Sequence, residues 1–500
     1  MFGRDNTALD ALRQVCDDAL SRLVDGPGRS MVASVRTKLD VPLTVTVAGG
    51  VSSGKSTLVN ALLAQKIAAV DTGECTRVVT EFRYGVHERA EVIGTDGTRS
   101  MLLLDRGRLP DQLGRPIEQV SSIVVHLSNA LLKDLAVVDT PGLNTVSEHN
   151  ETTTSDFLGV SGREGEHTAG AVSRADALLF LLPVLRQSDA AVLQGFAKLF
   201  GGSGLSAAST IAVLSKIDRL GRTPDPVGQV QPMVQRMASD LRGVVGDVLP
   251  VIGLLAETSR AAVFTEADAR AVHAVAAVRD EFDREDMLLS AEDFLRFPGL
   301  DLTPGERQRL LTLLDVHGLT VAIGAIDRGA RSAGDLLRFL EEHSGFGALR
   351  AVVMDRFADQ AALFKAHAAI GDLRRASYLR DDPDNARALR ALRTPLERLE
   401  LDSTLHRLRL LEVAHAVAAG ELTLPAELLD DVSALVSRSS LESAIGANTN
   451  NAAARALEGA ARWGTWGNDA RRSPAEARMA RVVKEAFEVL WSQFDGSRDE

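Results

Sequence analysis

The chain has 500 residues, a formal net charge of -12, 45% hydrophobic residues and only 4% aromatic residues. This length is too great for one hydrophobic core and predicts two or three domains. The acidic balance argues against a nucleic-acid partner, because phosphate backbones are bound by clustered basic surface. Cys16 and Cys75 are far apart in sequence and lack metal-ligand or redox spacing. The first thirty residues have no apolar run typical of a secretory signal, and the longest apolar runs, 177–185 and 248–256, are too short to span a bilayer. We therefore expect a reduced cytoplasmic protein that is soluble or peripheral to a membrane.

The first predicted element is a helix from Thr7 to Val24. Its apolar positions recur every three or four residues, which predicts a narrow seam packed against other helices. These positions are Leu9, Leu12, Cys16, Leu20 and Leu23.

A strand, a glycine-rich loop and a helix follow in a pattern that predicts phosphate binding. Residues 43–48 are a short β-rich run, and residues 57–63 begin a helix. The loop between them fits G-x-x-x-x-G-K-[ST], whose backbone N–H groups surround a polyphosphate at the positive end of a helix. Lys55 is predicted to neutralise the β- and γ-phosphates and Ser56 to bind Mg²⁺. The predicted nucleotide-contacting residues of this segment are Gly49, Gly50, Val51, Ser52, Ser53, Gly54, Lys55, Ser56 and Thr57.

A second buried strand is predicted from Leu135 to Val138, and it ends in the sequence DTPG at 139–142. Asp139 is placed to hold Mg²⁺, usually through water. Gly142 can turn its backbone N–H toward the γ-phosphate without a Cβ clash. Residues 175–183 predict a further buried strand.

The next apolar run, 211–214, leads into Ser215-Lys216-Ile217-Asp218, which is similar to the [NT]-K-x-D signature of GTPases. The Asp218 carboxylate would accept N1–H and N2–H of guanine, whereas the unprotonated N1 of adenine would leave it unpaired. Lys216 is expected to lie along the base and ribose. Alternatively, Lys216 and Asp218 are simply charged residues at a solvated strand end. Because a phosphate-binding loop precedes them in the sequence, we prefer guanine recognition. Residues 248–256 predict the following strand, with its end against the guanine ring.

The phosphate loop, DTPG and SKID come in this order, each at the carboxyl end of a predicted strand. Ligands of open parallel α/β sheets bind at that edge. The order therefore predicts a GTPase with GTP and Mg²⁺ as its nucleotide and metal.

Three segments carry a resemblance to a known family: AGGVSSGKSTLVNAL at 48–62, DTGECTR at 71–77 and DTPGLN at 139–144. In these segments the chain resembles the dynamin superfamily, and most of all the actinobacterial, isoniazid-induced group of bacterial dynamin-like GTPases. The resemblance is specific over residues 43–218 and more diffuse through the helical remainder.

This resemblance implies a GTPase activated by dimerisation across its nucleotide face. Thr76 then matches the catalytic threonine, which binds Mg²⁺ and orders the attacking water through its backbone carbonyl. Ser52 matches a serine that contacts phosphate and, in some members, a monovalent cation. Animal dynamins carry a glutamine where this chain has Val51, so water ordering would fall to backbone groups. Arg77 is either a cis arginine finger or a solvated or ion-paired loop residue. The catalytic assignments are thus Lys55, Ser52 and Thr76, and the metal assignments Ser56, Thr76 and Asp139.

The C-terminal part predicts a helical bundle. Ser473 to Glu476 is a capping box with proline at the first helical position. The helix that it opens has one apolar face, formed by Met479, Val483, Ala486, Phe487, Leu490 and Phe494. The resemblance implies that this helix packs against the N-terminal helix in a neck below the GTPase domain.

Two segments of the predicted bundle are candidates for membrane contact. Arginines cluster between Asp372 and Arg393, and each basic residue near an anionic surface contributes roughly 1 kcal/mol. The second candidate is the apolar loop Leu422–Pro425. A bundle that buries only its own core fits the same amphipathic pattern. The clustered arginines are Arg374, Arg375, Arg380, Arg387, Arg390 and Arg393.

These features predict an α/β P-loop GTPase domain, with a mostly parallel sheet flanked by helices, joined to an all-α helical bundle. The predicted domains are N-terminal neck helices at 1–40, a dynamin-type GTPase domain at 41–328, and a helical trunk with a C-terminal neck helix at 329–500. The predicted partners are a lipid surface on the cytoplasmic face of the cell membrane and a second copy of the GTPase domain, with a paralogous dynamin-like protein as a further candidate.

The predicted function is GTP hydrolysis coupled to membrane remodelling or repair. The alternative is a GTP-dependent switch or scaffold that acts on a protein or ribosome partner without remodelling a membrane.

Overall fold

The computed structural model describes residues 5–68, 77–104, 107–110, 112–141, 175–183, 209–220, 225–241, 245–358, 360–401, 406–418, 422–437 and 452–495. Within these ranges nine strands form one sheet in the order β4-β3-β5-β2-β6-β1-β7-β8-β9. The strands are β1 (Leu43–Gly49), β2 (Thr80–Tyr84), β3 (Arg89–Gly94), β4 (Arg99–Leu102), β5 (Val120–Leu127), β6 (Leu135–Asp139), β7 (Ala177–Pro183), β8 (Thr210–Ser215) and β9 (Asp247–Val251).

Strand β1 lies inside the parallel part of the sheet, between β6 and β7. Beyond β7 the parallel pairing continues through β8 to β9, whereas β2 pairs antiparallel with β6. The carboxyl end of β1 therefore lies where the strand order reverses, the point at which open α/β sheets bind ligands. The mostly parallel sheet confirms the predicted fold class.

The central strands are buried on both faces. Val45 and Val47 of β1 belong to one hydrophobic core, and Ala48, Phe180 and Leu214 belong to another. Because successive side chains of a strand point to opposite faces, these two cores lie on opposite sides of the sheet. Burial on both faces explains why these strands read as continuous apolar runs in the sequence.

The helices fall into two sets along the chain. Those up to residue 343 are α1 (Asp5–Leu20), α2 (Pro27–Asp40), α3 (Lys55–Leu63), α4 (Leu131–Asp134), α5 (Pro226–Gln229), α6 (Gln231–Asp240), α7 (Gly253–Arg260), α8 (Glu266–Ala276), α9 (Glu281–Met287), α10 (Ala291–Arg296), α11 (Pro304–Asp327) and α12 (Ala333–His343). Those that follow are α13 (Phe346–Val352), a π-helical turn (Val353–Ala358), α14 (Ala361–Ala376), α15 (Pro383–Ala391), α16 (Arg393–Leu401), α17 (His406–Ala418), α18 (Ala426–Ser437), α19 (Ala452–Gly467) and α20 (Pro474–Asp495).

The strand predicted at 248–256 is wrong in its second half. β9 ends at Val251, and Gly253 begins α7. Val251 is the register partner of Ser215, the last residue of β8, so the ladder ends where its neighbour ends. A short apolar run in a sequence fits a buried strand and a buried helix equally well. Here the run changes from strand to helix at the point where the neighbouring strand β8 ends.

The terminal helices have different principal partners from the neck pairing that the resemblance implied. α1, which ends at Leu20 rather than Val24, packs with α2 on α14. α20 packs chiefly on α19 and also on α17. Val483, Ala486, Phe487 and Leu490 of this helix are buried, chiefly against the helix that precedes it in sequence. The short connection 468–473 brings the two helices together at little entropic cost. The predicted capping box is confirmed: Ser473 N donates to Glu476 Oε2 at 2.7 Å, and Glu476 N donates to Ser473 Oγ at 3.2 Å.

The two candidates for membrane contact differ in accessibility. Leu422 and Leu424 are only 3% and 7% exposed, so the expectation of an apolar membrane loop there is wrong: these leucines belong to the protein core. The arginine-rich segment docks on the connection between α1 and α2. Asp381 Oδ2 accepts a hydrogen bond from Gly28 N at 2.8 Å, and Asn385 Oδ1 accepts one from Val24 N at 2.9 Å. Its arginines at 374, 375, 380, 387 and 390 are nevertheless exposed.

Helix α11 is the one helix of the described chain that is long and apolar enough to cross a membrane by length and composition. Its most apolar window is 56% buried inside the protein, where α11 packs against α7, α8 and α12. A core helix passes the same test, and the packing of α11 is that of a core helix.

Candidate nucleotide-binding site

The loop after β1 has a backbone that glycine makes possible at its first position. Gly49 has φ 151°, and a Cβ there would lie 2.6 Å from the carbonyl oxygen of Leu181 on the neighbouring strand β7. A residue with a side chain would force the two strands apart. The loop then turns through Ser52 and Gly54, both with positive φ, into the N-terminus of α3 at Lys55. Backbone N–H groups of such a turn and of the helix N-terminus are the groups that hold phosphate.

The Lys55 side chain lies folded along this loop. It is only 7% exposed, and its Nζ donates to the carbonyl oxygens of Gly50 at 2.9 Å and Gly49 at 3.2 Å. Burial lowers the pKa of the Lys55 ammonium, and the nearby Asp139 charge opposes that shift. The loop thus keeps one buried cation beside the N-terminus of α3, which suits a polyphosphate anion.

Ser56 and Asp139 meet beside Lys55. The Ser56 hydroxyl donates to Asp139 Oδ2 at 2.7 Å, and Asp139 Oδ1 is buried with no hydrogen-bond partner. Burial raises the pKa of Asp139 to about 6, although the Ser56 hydrogen bond and the Lys55 charge pull it down. A hydroxyl beside an unpaired carboxylate oxygen is a donor set that Mg²⁺ prefers. These two side chains therefore fit the metal that the sequence predicts.

The segment after β8 closes the other end of the site. Ser215 Oγ donates to the carbonyl oxygen of Ser53 at 2.8 Å, which joins this segment to the phosphate loop. Lys216 has φ 58°, and the chain then makes a 3₁₀ turn over Ile217–Arg219 that contains Asp218. Burial lowers the pKa of Lys216, with a further contribution from the Arg219 charge.

One cavity runs from the loop to this turn. It is lined by Ser53, Gly54, Thr57, Leu58, Leu181, Val213, Ser215, Lys216, Asp218, Arg219, Val251, Gly253, Leu254 and Asp315. The structure thus brings the predicted phosphate-binding and base-reading residues to the same sheet edge, together with the end of β9. Val51, at the rim of the loop, is 52% exposed, and Ser52 is exposed beside it. Thr76 and Gly142 lie outside the described residues, so their predicted roles stay predictions.

Two features in and near the site have no counterpart among the predictions. Asn60 makes four buried hydrogen bonds: its Nδ2 donates to Glu257 Oε1 and Ala68 O, and its Oδ1 accepts from Ile67 N and Ala68 N. The clue in the sequence is one polar residue among the apolar residues 58–63 of the helix. The second feature is Asp315, which lines the cavity from helix α11 although it lies far from the motifs in sequence.

Comparison with known proteins places this geometry in a family. A sequence model of the dynamin family matches residues 45–217, the stretch from β1 to the turn after β8. Isoniazid-induced protein IniC of Mycobacterium tuberculosis is 30% identical over 480 residues, which are 93% of this chain and 93% of that protein. This chain belongs to the dynamin family. As a dynamin-family protein it is a GTPase, which confirms the predicted enzyme class and GTP binding.

Other dynamin-family proteins match over shorter stretches. The bacterial dynamin-like protein of Nostoc punctiforme is 23% identical over 38% of this chain and 27% of its own length. Among solved structures, an oligomerised bacterial dynamin pair, described as a mechanism for long-range sensing and tethering of membranes, is 15% identical. The structural match covers 83% of this chain and 79% of the bacterial dynamin chain, with a TM-score of 0.32.

Proposed function

We propose that this dynamin-family GTPase hydrolyses GTP when two copies meet through their nucleotide faces, and that it works as a peripheral protein on the cytoplasmic face of the cell membrane. The observation that supports the site most directly is the single cavity shared by Ser53, Ser215 and Asp218. We divide the chain for this purpose into neck helices at 1–40, a GTPase domain at 41–328 and a helical trunk at 329–500.

The hydrolytic roles follow from what each side chain can reach. Lys55 and the backbone amides at the start of α3 neutralise the charge that develops on the β- and γ-phosphates. Ser56 and Asp139 are the residues that would hold Mg²⁺, which would withdraw charge from the phosphate oxygens when bound. Ser52 lies in the described loop and is assigned to the γ-phosphate end, where water attacks in line and GDP leaves. Thr76 and Gly142 are assigned to the same end from the sequence motifs alone.

Guanine recognition is assigned to Asp218. A carboxylate pairs with the N1–H and N2–H of guanine, and its replacement by an amide matches xanthine instead. We expect an Asp218→Asn variant to bind xanthosine triphosphate more tightly than GTP, measured by competition against a fluorescent nucleotide. Asp301→Asn removes an equal charge from an exposed position outside the cavity and should leave the preference unchanged. An unchanged preference in Asp218→Asn would refute the base assignment.

Self-association is supported by the rim of the nucleotide loop. Val51 is exposed and its side chain has no group that can hydrogen-bond to water, so that side chain cannot orient the nucleophile as a glutamine would. An exposed apolar residue beside the phosphates suits contact with a second copy of the same face. A paralogous dynamin-like protein could take the place of that second copy.

Membrane contact is assigned to the exposed arginines of the 372–393 segment. Arg387 and Arg390 are three positions apart on α15, so they share a helix face, and Arg380 precedes them. Each contributes roughly 1 kcal/mol near an anionic lipid surface. This local patch gives a net acidic protein a way to approach negative lipid.

The deciding experiment measures GTP turnover against protein concentration, with and without anionic liposomes. The proposal expects a specific rate that rises with concentration and rises further on lipid. Arg387→Glu with Arg390→Glu should remove the lipid effect and keep the concentration effect. Arg296→Glu with Arg338→Glu reverses two other exposed arginines and serves as the matched control. A rate that is flat in both conditions contradicts the proposal and favours a partner-gated switch or scaffold.

A further inference from the structure

Asp315 lines the same cavity as Asp218 and Lys216, although it comes from a helix almost a hundred residues further along the chain. Helix α11, which carries Asp315, packs against α7, the helix that begins at the end of β9. The packing of α11 on α7 therefore adds a second carboxylate to the lining of the cavity that contains Asp218. None of the GTPase sequence motifs includes this residue.

The backbone of α11 is interrupted at Asp315. This residue has φ 52° and ψ -177°, a combination that costs free energy for any residue with a Cβ and is found mainly in glycine. The interruption is supported from both sides. The carbonyl oxygen of Leu313 accepts a hydrogen bond from the buried Thr258 hydroxyl at 2.5 Å, and Asp315 Oδ1 accepts one from Val316 N at 2.7 Å.

The Asp315 carboxylate has more acceptor capacity than this local bond uses. A carboxylate offers about four lone-pair sites on its two oxygens, and one site of Oδ1 takes the Val316 N–H. Among the described residues no further hydrogen bond or ion pair of Asp315 is present. A glycine would adopt this backbone without strain, so the conformation alone does not explain an aspartate here.

We propose that Asp315 is a specificity-determining residue whose carboxylate accepts a hydrogen bond from the nucleoside of GTP. Asp218 takes N1–H and one N2–H of guanine, so the donors left over are the second N2–H and the two ribose hydroxyls. A carboxylate at the base end of the cavity can accept from either source, as acidic residues do for ribose in dinucleotide sites. This inference rests on the assignment of the cavity to GTP.

Two variants separate nucleoside recognition from a structural role. Asp315→Gly keeps the positive-φ backbone without strain and removes the carboxylate, whereas Asp315→Asn keeps an oxygen for the Val316 N–H and removes the charge. Dissociation constants are measured for GTP, inosine triphosphate, which lacks N2, and the 2′- and 3′-deoxy analogues of GTP. Asp301→Asn is the charge-matched control.

The proposal expects both variants to bind GTP roughly tenfold more weakly, as for a lost hydrogen bond to a charged group. It also expects each variant to lose the wild-type discrimination against one analogue: inosine triphosphate if the donor is N2–H, a deoxy analogue if it is a ribose hydroxyl. Thermal unfolding should show Asp315→Gly to be folded. Wild-type GTP affinity in Asp315→Gly, or weakening that is equal for all four nucleotides, would overturn the inference. Binding of GTP by the wild type and the xanthine switch of Asp218→Asn test the nucleotide assignment separately.

Discussion

The hydroxyl of Ser215 donates a hydrogen bond to the carbonyl oxygen of Ser53, at 2.8 Å. Ser215 ends β8 and Ser53 lies in the loop after β1, so this bond joins the base-reading segment to the phosphate-binding loop across β7. The bond ties together the two segments that are predicted to hold the two ends of the nucleotide. Serine in the first place of the base-reading motif keeps the hydroxyl that threonine would offer, which explains why this departure from the family pattern is compatible with the site.

Removal of this bond should weaken nucleotide binding. Ser215 is buried, and in Ser215→Ala the Ser53 carbonyl loses its donor, so we expect GTP affinity to fall roughly fivefold to tenfold and stability by about 1 kcal/mol. Ser215→Thr keeps the hydroxyl and should stay close to the wild type. The measurement is nucleotide titration together with thermal unfolding of all three proteins. Equal affinities would show that the bond does not position the loops.

Loss of the loop lysine should be far more severe. Lys55 is the cation beside the N-terminus of α3, so Lys55→Ala should weaken GTP binding by roughly a hundredfold or more, because charge-assisted bonds to phosphate are lost. Lys133→Ala removes an exposed lysine that lies over the Tyr84 ring, away from the cavity, and provides the control. Isothermal titration with GTP measures both. A Lys55→Ala protein with wild-type affinity would contradict the phosphate-loop assignment.

Asn60 should be important for stability even though it does not line the cavity. Asn60→Ala would remove four buried hydrogen bonds, although Ile67 N would still donate to Gln65 O and Glu257 would still pair with Lys66, so we expect the free energy of unfolding to fall by about 2–4 kcal/mol. Glu257→Gln keeps an oxygen for the Asn60 amide and should be milder. Urea denaturation ranks the two. If Glu257→Gln were as destabilising as Asn60→Ala, the Glu257 charge and its Lys66 partner, at 3.6 Å, would dominate instead.

Cys16 should report on the docking of the N-terminal helices. It is fully buried in α1, and burial raises the pKa of its thiol to about 12, against the opposing charge of Arg36. Because the thiolate is the reactive form, the folded protein should resist alkylation of Cys16 at pH 8. A Cys75→Ser variant leaves Cys16 as the single thiol, so labelling followed by mass spectrometry reads it directly, with urea-unfolded protein as the positive control. Rapid labelling of the native protein would show that α1 undocks from α14 under native conditions.

The local motifs could be predicted because they depend on neighbours in sequence. The loop at 49–56 needs a glycine where β1 passes close to β7, and it needs a lysine and a hydroxyl residue at a set spacing. All three requirements can be recognised in the amino-acid sequence. The strands buried on both faces appear as apolar runs for the same reason, and the capping box at Ser473 needs only residues three apart.

Contacts between distant segments could not be predicted in this way. Asn60 pairs with Glu257 and Asp315 joins the cavity of Asp218 across long stretches of chain, and no spacing rule links them. Leu422 and Leu424 illustrate the same difficulty, since an apolar loop in sequence becomes either membrane contact or core depending on what covers it.

The sequence by itself determined the fold class, the phosphate loop, and the order of the motifs along the sheet edge. Their physical basis is local: backbone conformation, side-chain periodicity and the chemistry of adjacent groups. Only the tertiary structure decided that the N-terminal helices pack on α14, that β9 ends at Val251, and that Asp315 lines the same cavity as Asp218. Those outcomes depend on which apolar faces bury one another most completely, a competition among all segments of the chain rather than a property of any one of them.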